Sequence, residues 1–180
     1  QAGNAVIQGC LHGDTRIQTK EFGIMKIKDL AGYSGEVWDG EKWSHGDVLY
    51  SGKKRKCIIT FSNGQKFICS PIHKFLQAGK NPNDENNYIE CRNLKHGDSI
   101  AVNWSSELSV DIPKEIEEKY EWFCSNLSGD GDETAIDSPL YLLDFHVESV
   151  EITDEYIDMY DVCNTDGGYY VADGIITHNT

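Results

Sequence analysis

"MYDVCNTDGGYYVADGIITHN", residues 159–179, is the stretch on which the fold turns. It is rich in β-branched and aromatic residues, and Gly167-Gly168 supplies a turn between two strand-like runs. The second run goes straight into His178-Asn179, where ordinary domains end on solvated tails. Asn179 has chemistry of its own. Its side-chain amide can attack its own main-chain carbonyl, closing a five-membered succinimide and cutting the bond to Thr180. His178, adjacent, can protonate the leaving nitrogen. Taken alone, a surface His-Asn pair of no consequence is by far the simpler reading of the two residues; the other end of the chain changes that.

There, "VIQGCLHGDT" (residues 6–15) places Cys10 after a nine-residue arm. A thiolate at Cys10 can attack the carbonyl of Gly9 and turn that amide into a thioester. Gly9 offers this attack the least steric resistance. A free thiol titrates near pH 8.5, so the site must supply a base or a positive field. The departing amide nitrogen must also be protonated. His73 in "CSPIH" is a candidate for that, since imidazole titrates near neutrality; taken alone, a buried structural histidine is the simpler reading of it.

The rest of the chain is organised around these ends. Residues 15–76 read as short strands: "TRIQT", "GIMKIKDL", "GEVWDG", "KWSHGDVLYSG", "KCIITFSNG" and "QKFICSPIHKFLQA". Asp39-Gly40 and Asn63-Gly64 are hairpin dipeptides. Residues 77–88 read as a polar loop, and Lys53-Lys54-Arg55-Lys56 as a solvated turn. "IKDLAGYSGEVW" (27–38) faintly resembles "CRNLKHGDSIAV" (91–102), which fits two related β halves. In 103–145 the spacing of Ile112, Ile116, Tyr120, Phe123, Cys124 and Leu127 predicts one helix, ended by Gly129. The following "GDGDETAIDS" is an acidic loop without the ligand spacing of a calcium site. Strands resume from 141.

Composition limits the alternatives. The chain has 180 residues, net charge −14 and 39% apolar residues, enough for one domain with a real core. Such an acidic surface disfavours nucleic acid and anionic membranes as direct partners. No apolar run approaches the ~20 residues of a membrane span, and "QAGNAVIQG" has no signal-peptide character. Six cysteines, at 10, 57, 69, 91, 124 and 163, form no CxxC pair, so neither a metal nor another cofactor is expected. They read as thiols of a reducing compartment, Cys10 apart mostly small buried hydrophobes. Cys163, two residues from Asp161, falls on the same face of a strand.

Taken together, Cys10-Leu11-His12-Gly13-Asp14-Thr15, Ser70-Pro71-Ile72-His73, "NLKHGDSIAV" and the closing stretch resemble the ordered motifs of an intein, a self-splicing element of the Hedgehog/intein β fold. The family usually has Thr where Ser70 stands, and the chain lacks a His between Asp161 and the final strand. The resemblance implies a mostly β, horseshoe-like fold with pseudo-two-fold halves and a short helical insert in place of a nuclease, as in a mini-intein. Residues 1–9 would be the N-terminal flank, 10–102 and 146–179 the two splicing halves, 103–145 the insert, and Thr180 the first residue of the C-terminal flank. It further implies catalysis by Cys10, Ser70, His73, Asp161, His178, Asn179 and Thr180, on the chain's own peptide bonds at Gly9 and Asn179. Cys163 is a conceivable second thiol. The joined flanks, "QAGNAVIQG-T", resemble a stretch of family A DNA polymerases. A monomer in the cytoplasm, with the host protein as partner, would follow. Three rivals share parts of this pattern: a Hedgehog-type autoprocessing domain, a cysteine hydrolase using Cys10, His73 and Asp161, and a non-catalytic β module.

If the insert only replaces a nuclease, exchanging residues 107–137 for a short Gly/Ser linker leaves splicing measurable by mass spectrometry. Loss of splicing with an intact β circular-dichroism spectrum would mean that the insert supports the site.

Overall fold

Two long strands organise the molecule. The computed structural model describes residues 9–103 and 145–179. The expected helix, the acidic loop after it, the first eight residues and Thr180 lie outside the described residues. In chain order the strands are β1 (Leu11–His12), β2 (Arg16–Thr19), β3 (Gly23–Lys26), β4 (Ser34–Trp38), β5 (Trp43–Phe61), β6 (Lys66–Cys69), β7 (Lys74–Leu76), β8 (Tyr88–Glu90), β9 (Val147–Cys163), β10 (Tyr169–Ala172) and β11 (Ile175–His178). They join in one sheet of order β6-β1-β9-β5-β4-β2-β10-β11-β7-β8, with β3 on β2 and β6 also paired to β5.

β5 and β9, of 19 and 17 residues, pair antiparallel along their length. Local sequence pattern divides each into two strands; the structure joins them. Register irregularities between Tyr50 and Gly52, Arg55 and Cys57, and Thr60 and Phe61 bend the ribbon without ending it. The basic run 53–56, expected as a turn, lies within β5 instead. Opposite charge on the partner strand explains this: Lys53 pairs with Asp158 at 3.2 Å and Lys56 with Glu155 at 3.4 Å. At the ends of the ribbon the side chains alternate into the core. Val48, Cys57, Ile59 and Phe61 of β5 are buried, as are Val147 and Val162 of β9.

Two hairpins form at Asp39-Gly40 and Asn63-Gly64, but not through the two-residue turn those dipeptides predict, which needs positive φ at both residues. Gly40 and Gly64 have positive φ while Asp39 and Asn63 do not; the loops 39–42 and 62–65 are closed by the Asp39 and Asn63 side chains, which accept from Glu41 N, Lys42 N and Gln65 N. The two segments of the faint repeat have matching local structure. Ile27–Leu30 and Cys91–Asn93 are single 3-10 turns, each leading to a buried leucine, Leu30 or Leu94. The thiols of Cys57, Cys69 and Cys91 are buried, with Cys57 and Cys91 Sγ 2.9 Å apart. Cys10 and Cys163 are free thiols as well.

β1 and β11 lie far apart in the strand order and meet through residues 70–73, which link β6, beside β1, to β7, beside β11. β1 pairs with β6 and β9, Leu11 facing Cys69 and Tyr160. β11 lies between β10 and β7, Thr177 facing Phe75. Phe75 is fully buried and meets Phe67 and His73 edge-on, at 5.2 Å between ring centroids in each case. Phe75→Ala should therefore cost about 3–5 kcal/mol. Urea denaturation of a variant unable to splice would measure it, and a loss below about 1 kcal/mol would mean the ring is not packed this way.

Candidate active site

Cys10 is buried at the foot of β1, and its backbone is clasped by Ser70. The Cys10 N–H donates to Ser70 Oγ at 2.9 Å, and the Ser70 N–H returns a bond to Cys10 O at 2.9 Å. The nitrogen that would leave in a thioester-forming step thus faces a hydroxyl, and serine supplies it as threonine would. Burial pushes the Cys10 thiol up to about 11. A hydrogen bond with the Ser51 side chain pulls it down, the Asp161 carboxylate raises it, and Lys54 lowers it. The sequence singles out neither Ser51 nor Lys54. Both arrive on β5, beside a cysteine some forty residues away.

Asp161 is buried on β9. Burial first, and the Asp161 charge second, push the Cys163 thiol and the Tyr170 hydroxyl up as well. A carboxylate there disfavours a standing thiolate at Cys10, although it remains a nearby proton acceptor. Cys163 donates to the Asp47 carbonyl at 3.6 Å.

His73 is fully buried, against Gly9 on one side and β11 on the other. A Cβ built on Gly9 would lie 2.6 Å from His73 Cα and 2.7 Å from Nδ1, so only glycine fits there. Nε2 meets Thr177 Oγ1, and that hydroxyl donates to the Lys74 carbonyl at 3.0 Å. Having given its proton to Lys74, the Thr177 oxygen accepts from Nε2–H. Nδ1 lies on the Gly9 side. Burial and the neighbouring His178 push His73 down to about 3, against a contact with the Gly9 backbone. The imidazole is therefore neutral at pH 7.

At the other junction, His178 Nδ1 lies 2.5 Å from Asn179 O, and its Nε2 lies 2.5 Å from Glu85 Oε2. Sequence alone aims His178 at the leaving nitrogen; the described contact is with the carbonyl oxygen, because the ring is held between that oxygen and Glu85. Tyr88 supports the ring edge-on at 4.8 Å. Glu85 comes from the loop 77–88, which reads in the sequence as a polar connection with no further role. Its carboxyl is held below the usual range mainly by the His178 hydrogen bond. Asn179 is fixed at two further points: Thr165 Oγ1 donates to its Oδ1 at 2.5 Å, and its N–H donates to Gly168 O at 2.9 Å. Gly168, at φ +86, belongs to the Gly-Gly turn. Thr180 lies outside the described residues.

No family model matches the chain. Among curated proteins, it is 30% identical over 95 residues to the large subunit of the ribonucleoside-diphosphate reductase of Invertebrate iridescent virus 6, covering 52% of this chain. It is 31% identical over 134 residues to a component of the A-type ATP synthase of Pyrococcus abyssi, covering 57% of this chain. The chain spans only 9% and 13% of these relatives. Solved structures of like fold include the Ssp DnaB mini-intein variant M86, at TM-score 0.62 and 19% identity, covering 96% of this chain and 95% of that one. Others are a DnaB intein from Synechocystis sp. PCC 6803 (TM-score 0.58, 18%, 96% and 99%) and the gp41-1 intein (0.60, 18%, 95% and 98%). The chain has the mostly β fold of the mini-inteins.

The depressed His73 makes a stability prediction. In the unfolded chain a histidine takes up a proton near pH 6.5, while in the fold it does so only near 3. Between those values the unfolded state binds the extra proton, so stability falls as pH drops through that window. His73→Leu should flatten this part of the profile, measured by denaturation in a splicing-blocked background. Parallel profiles would mean the ring is not buried neutral.

Proposed function

We propose that the chain is a self-splicing element that excises residues 10–179 and joins Gly9 to Thr180, acting once and on itself. One observation carries this reading. The buried imidazole of His73 touches Gly9 and Thr177, so residues at both ends of the excised segment lie against the same side chain. A hydrolase acting on external substrates has no need of such a meeting. The relatives give independent support. A ribonucleotide reductase and an ATP synthase share no activity, yet each matches this chain over about a tenth of its length. A self-contained element inserted in unrelated hosts produces that pattern.

The residues fit four steps. Cys10 Sγ attacks the Gly9 carbonyl carbon, and the Cys10 nitrogen leaves with a proton, giving a thioester. With its thiol so hard to ionise, Cys10 needs a base at the moment of attack. Neutral His73, packed against Gly9, carries the proton to the Cys10 nitrogen, which Ser70 holds. The Lys54 charge and the Ser51 hydroxyl favour the sulfur anion. Thr180 Oγ then attacks the thioester, forming an ester and freeing the Cys10 thiol; Asp161, the buried carboxylate whose charge reaches Cys10, serves there as the base. Asn179 Nδ2 attacks its own carbonyl carbon, releasing the Thr180 amine and leaving a succinimide. His178 donates to the carbonyl oxygen as charge builds on it, with Glu85 as its orienting carboxylate. Thr165 stabilises charge on Asn179 Oδ1 as the attacking amide loses its proton. It stands between Asp161 and the final strand, the stretch in which the chain lacks the family's histidine. Last, the Thr180 amine attacks the ester and forms the ordinary peptide bond.

The host is a finer proposal. The flank resemblance supports a family A DNA polymerase in the cytoplasm, while the solved relatives are inteins named for DnaB and gp41-1. The spliced peptide's place in its parent open reading frame decides this.

Mass spectrometry after incubation at neutral pH tests the main reading. Wild type should yield residues 10–179 and a ligated ten-residue peptide. Cys10→Ala should yield no ligated product, and Asn179→Ala should release residues 1–9 only with added thiol. Glu85→Gln should slow release of Thr180 on the order of tenfold, with partial recovery in Glu85→Asp. An intact wild-type chain would sink the proposal.

A further inference from the structure

Away from the splice junctions, three side chains converge where the chain enters β9. His96 sits on the turn after Leu94; His146 and Glu148 stand at the start of β9. One ligand atom from each lies within 4.8 Å of the others. His96 Nδ1 is 3.5 Å from Glu148 Oε1, and His146 Nε2 is 3.5 Å from Glu148 Oε2. The imidazole rings stand at 77° with centroids 5.6 Å apart, so they are not stacked on each other.

The backbone under them is braced. The Gly97 N–H donates to Val147 O at 2.8 Å, and the Val147 N–H donates to Asp98 O at 2.8 Å. The Ser62 N–H donates to His146 O at 2.8 Å, and the His146 N–H returns to Ser62 Oγ at 3.0 Å. Asp98 also closes the His96 turn, its carboxylate accepting from Lys95 N at 2.8 Å. His96 Nδ1 donates to the Glu148 carbonyl at 3.1 Å, a bond the ring gives up when it turns to bind an ion. Phe145, next to His146, stacks on Phe61 with centroids 4.9 Å apart.

We propose that His96, His146 and Glu148 form a binding site for a divalent transition-metal ion, zinc being the natural occupant. Two imidazoles and one carboxylate are borderline ligands of the kind zinc takes, with a fourth position left for water. Ligands about 2.0–2.2 Å from a tetrahedral ion stand roughly 3.3–3.5 Å from one another; the two His–Glu separations are of that size, each to a different oxygen of Glu148, and the carboxylate turns to present one of them to the ion. The widest separation closes by rotation of His96, which is largely exposed. Calcium and magnesium prefer all-oxygen sites and are disfavoured here. A bound ion ties the 95–98 turn to the start of β9. This proposal is independent of splicing. The spacing of ligands in the sequence does not reveal the site, because the two histidines are fifty positions apart (146 − 96) and meet only through β9.

The test uses the full chain carrying Cys10→Ala and Asn179→Ala, which keeps it whole and removes the junction thiol. Isothermal titration with zinc chloride should show one saturable site, and the thermal midpoint should rise with added zinc. His96→Ala, on the exposed turn, should weaken binding at least about tenfold without changing the circular-dichroism spectrum. His146→Ala and Glu148→Gln should do the same. Binding should also weaken below about pH 6, as ligands must be deprotonated. Absence of saturable binding at millimolar zinc overturns the proposal. So does affinity unchanged in His96→Ala, which would assign the metal to the remaining thiols. Equal binding of magnesium would reduce the site to acidic surface and overturn it as well.

Discussion

Burial of one neutral imidazole between the two ends of the chain is the constraint from which the rest of the structure follows. His73 leads into β7, and β7 pairs with β11, so the ring is carried to Thr177 by the sheet itself. On its other face it needs a residue without a side chain, and Gly9 meets that need. A charged ring could not be held there: leaving water disfavours the cation, and the nearby His178 disfavours it further. Neutrality leaves a ring able to exchange a proton beside the Gly9–Cys10 peptide bond.

The two junctions use different physics. At Cys10 the environment opposes ionisation, through burial and through Asp161, and only Ser51 and Lys54 lean the other way. A thiol kept protonated until a base engages it is protected from reacting with other partners before the geometry is right. At Asn179 the environment is partly open and rich in hydrogen bonds. Glu85, Thr165 and Gly168 hold the histidine and the amide in one arrangement, in which positioning replaces the large shifts in acidity found at the first junction. The sheet makes both possible, because β1 and β11 are short strands fixed by their neighbours. Leu11 is held between Cys69 and Tyr160, and β11 is paired along its length with β10.

Much of this was legible from residue order alone. Cys10, His73, Asp161, His178 and Asn179 are chemically distinctive, and the turns between them depend on local dipeptides whose backbone preferences are intrinsic. Gly40, Gly64 and Gly168 take the positive φ that their dipeptides implied. Local pattern failed at the two long strands. Gly52 and the four basic residues that follow it look like a break, and only cross-strand pairing with 155–158 shows that the ribbon continues.

What the sequence by itself determined, then, is the β class, the order of the motifs and the identity of the reactive groups, since these rest on residue type and near-neighbour spacing. Tertiary structure alone decided the company those groups keep. Glu85 reaches His178 from a loop that looked merely polar. Thr165 reaches Asn179 across a turn, Ser51 and Lys54 reach Cys10 from the far side of β9, and His96 meets His146. Each is a side-chain proximity between positions far apart in the chain or across a turn. Its energy arises only once the strands that carry the partners have paired, so no local signal in the sequence records it.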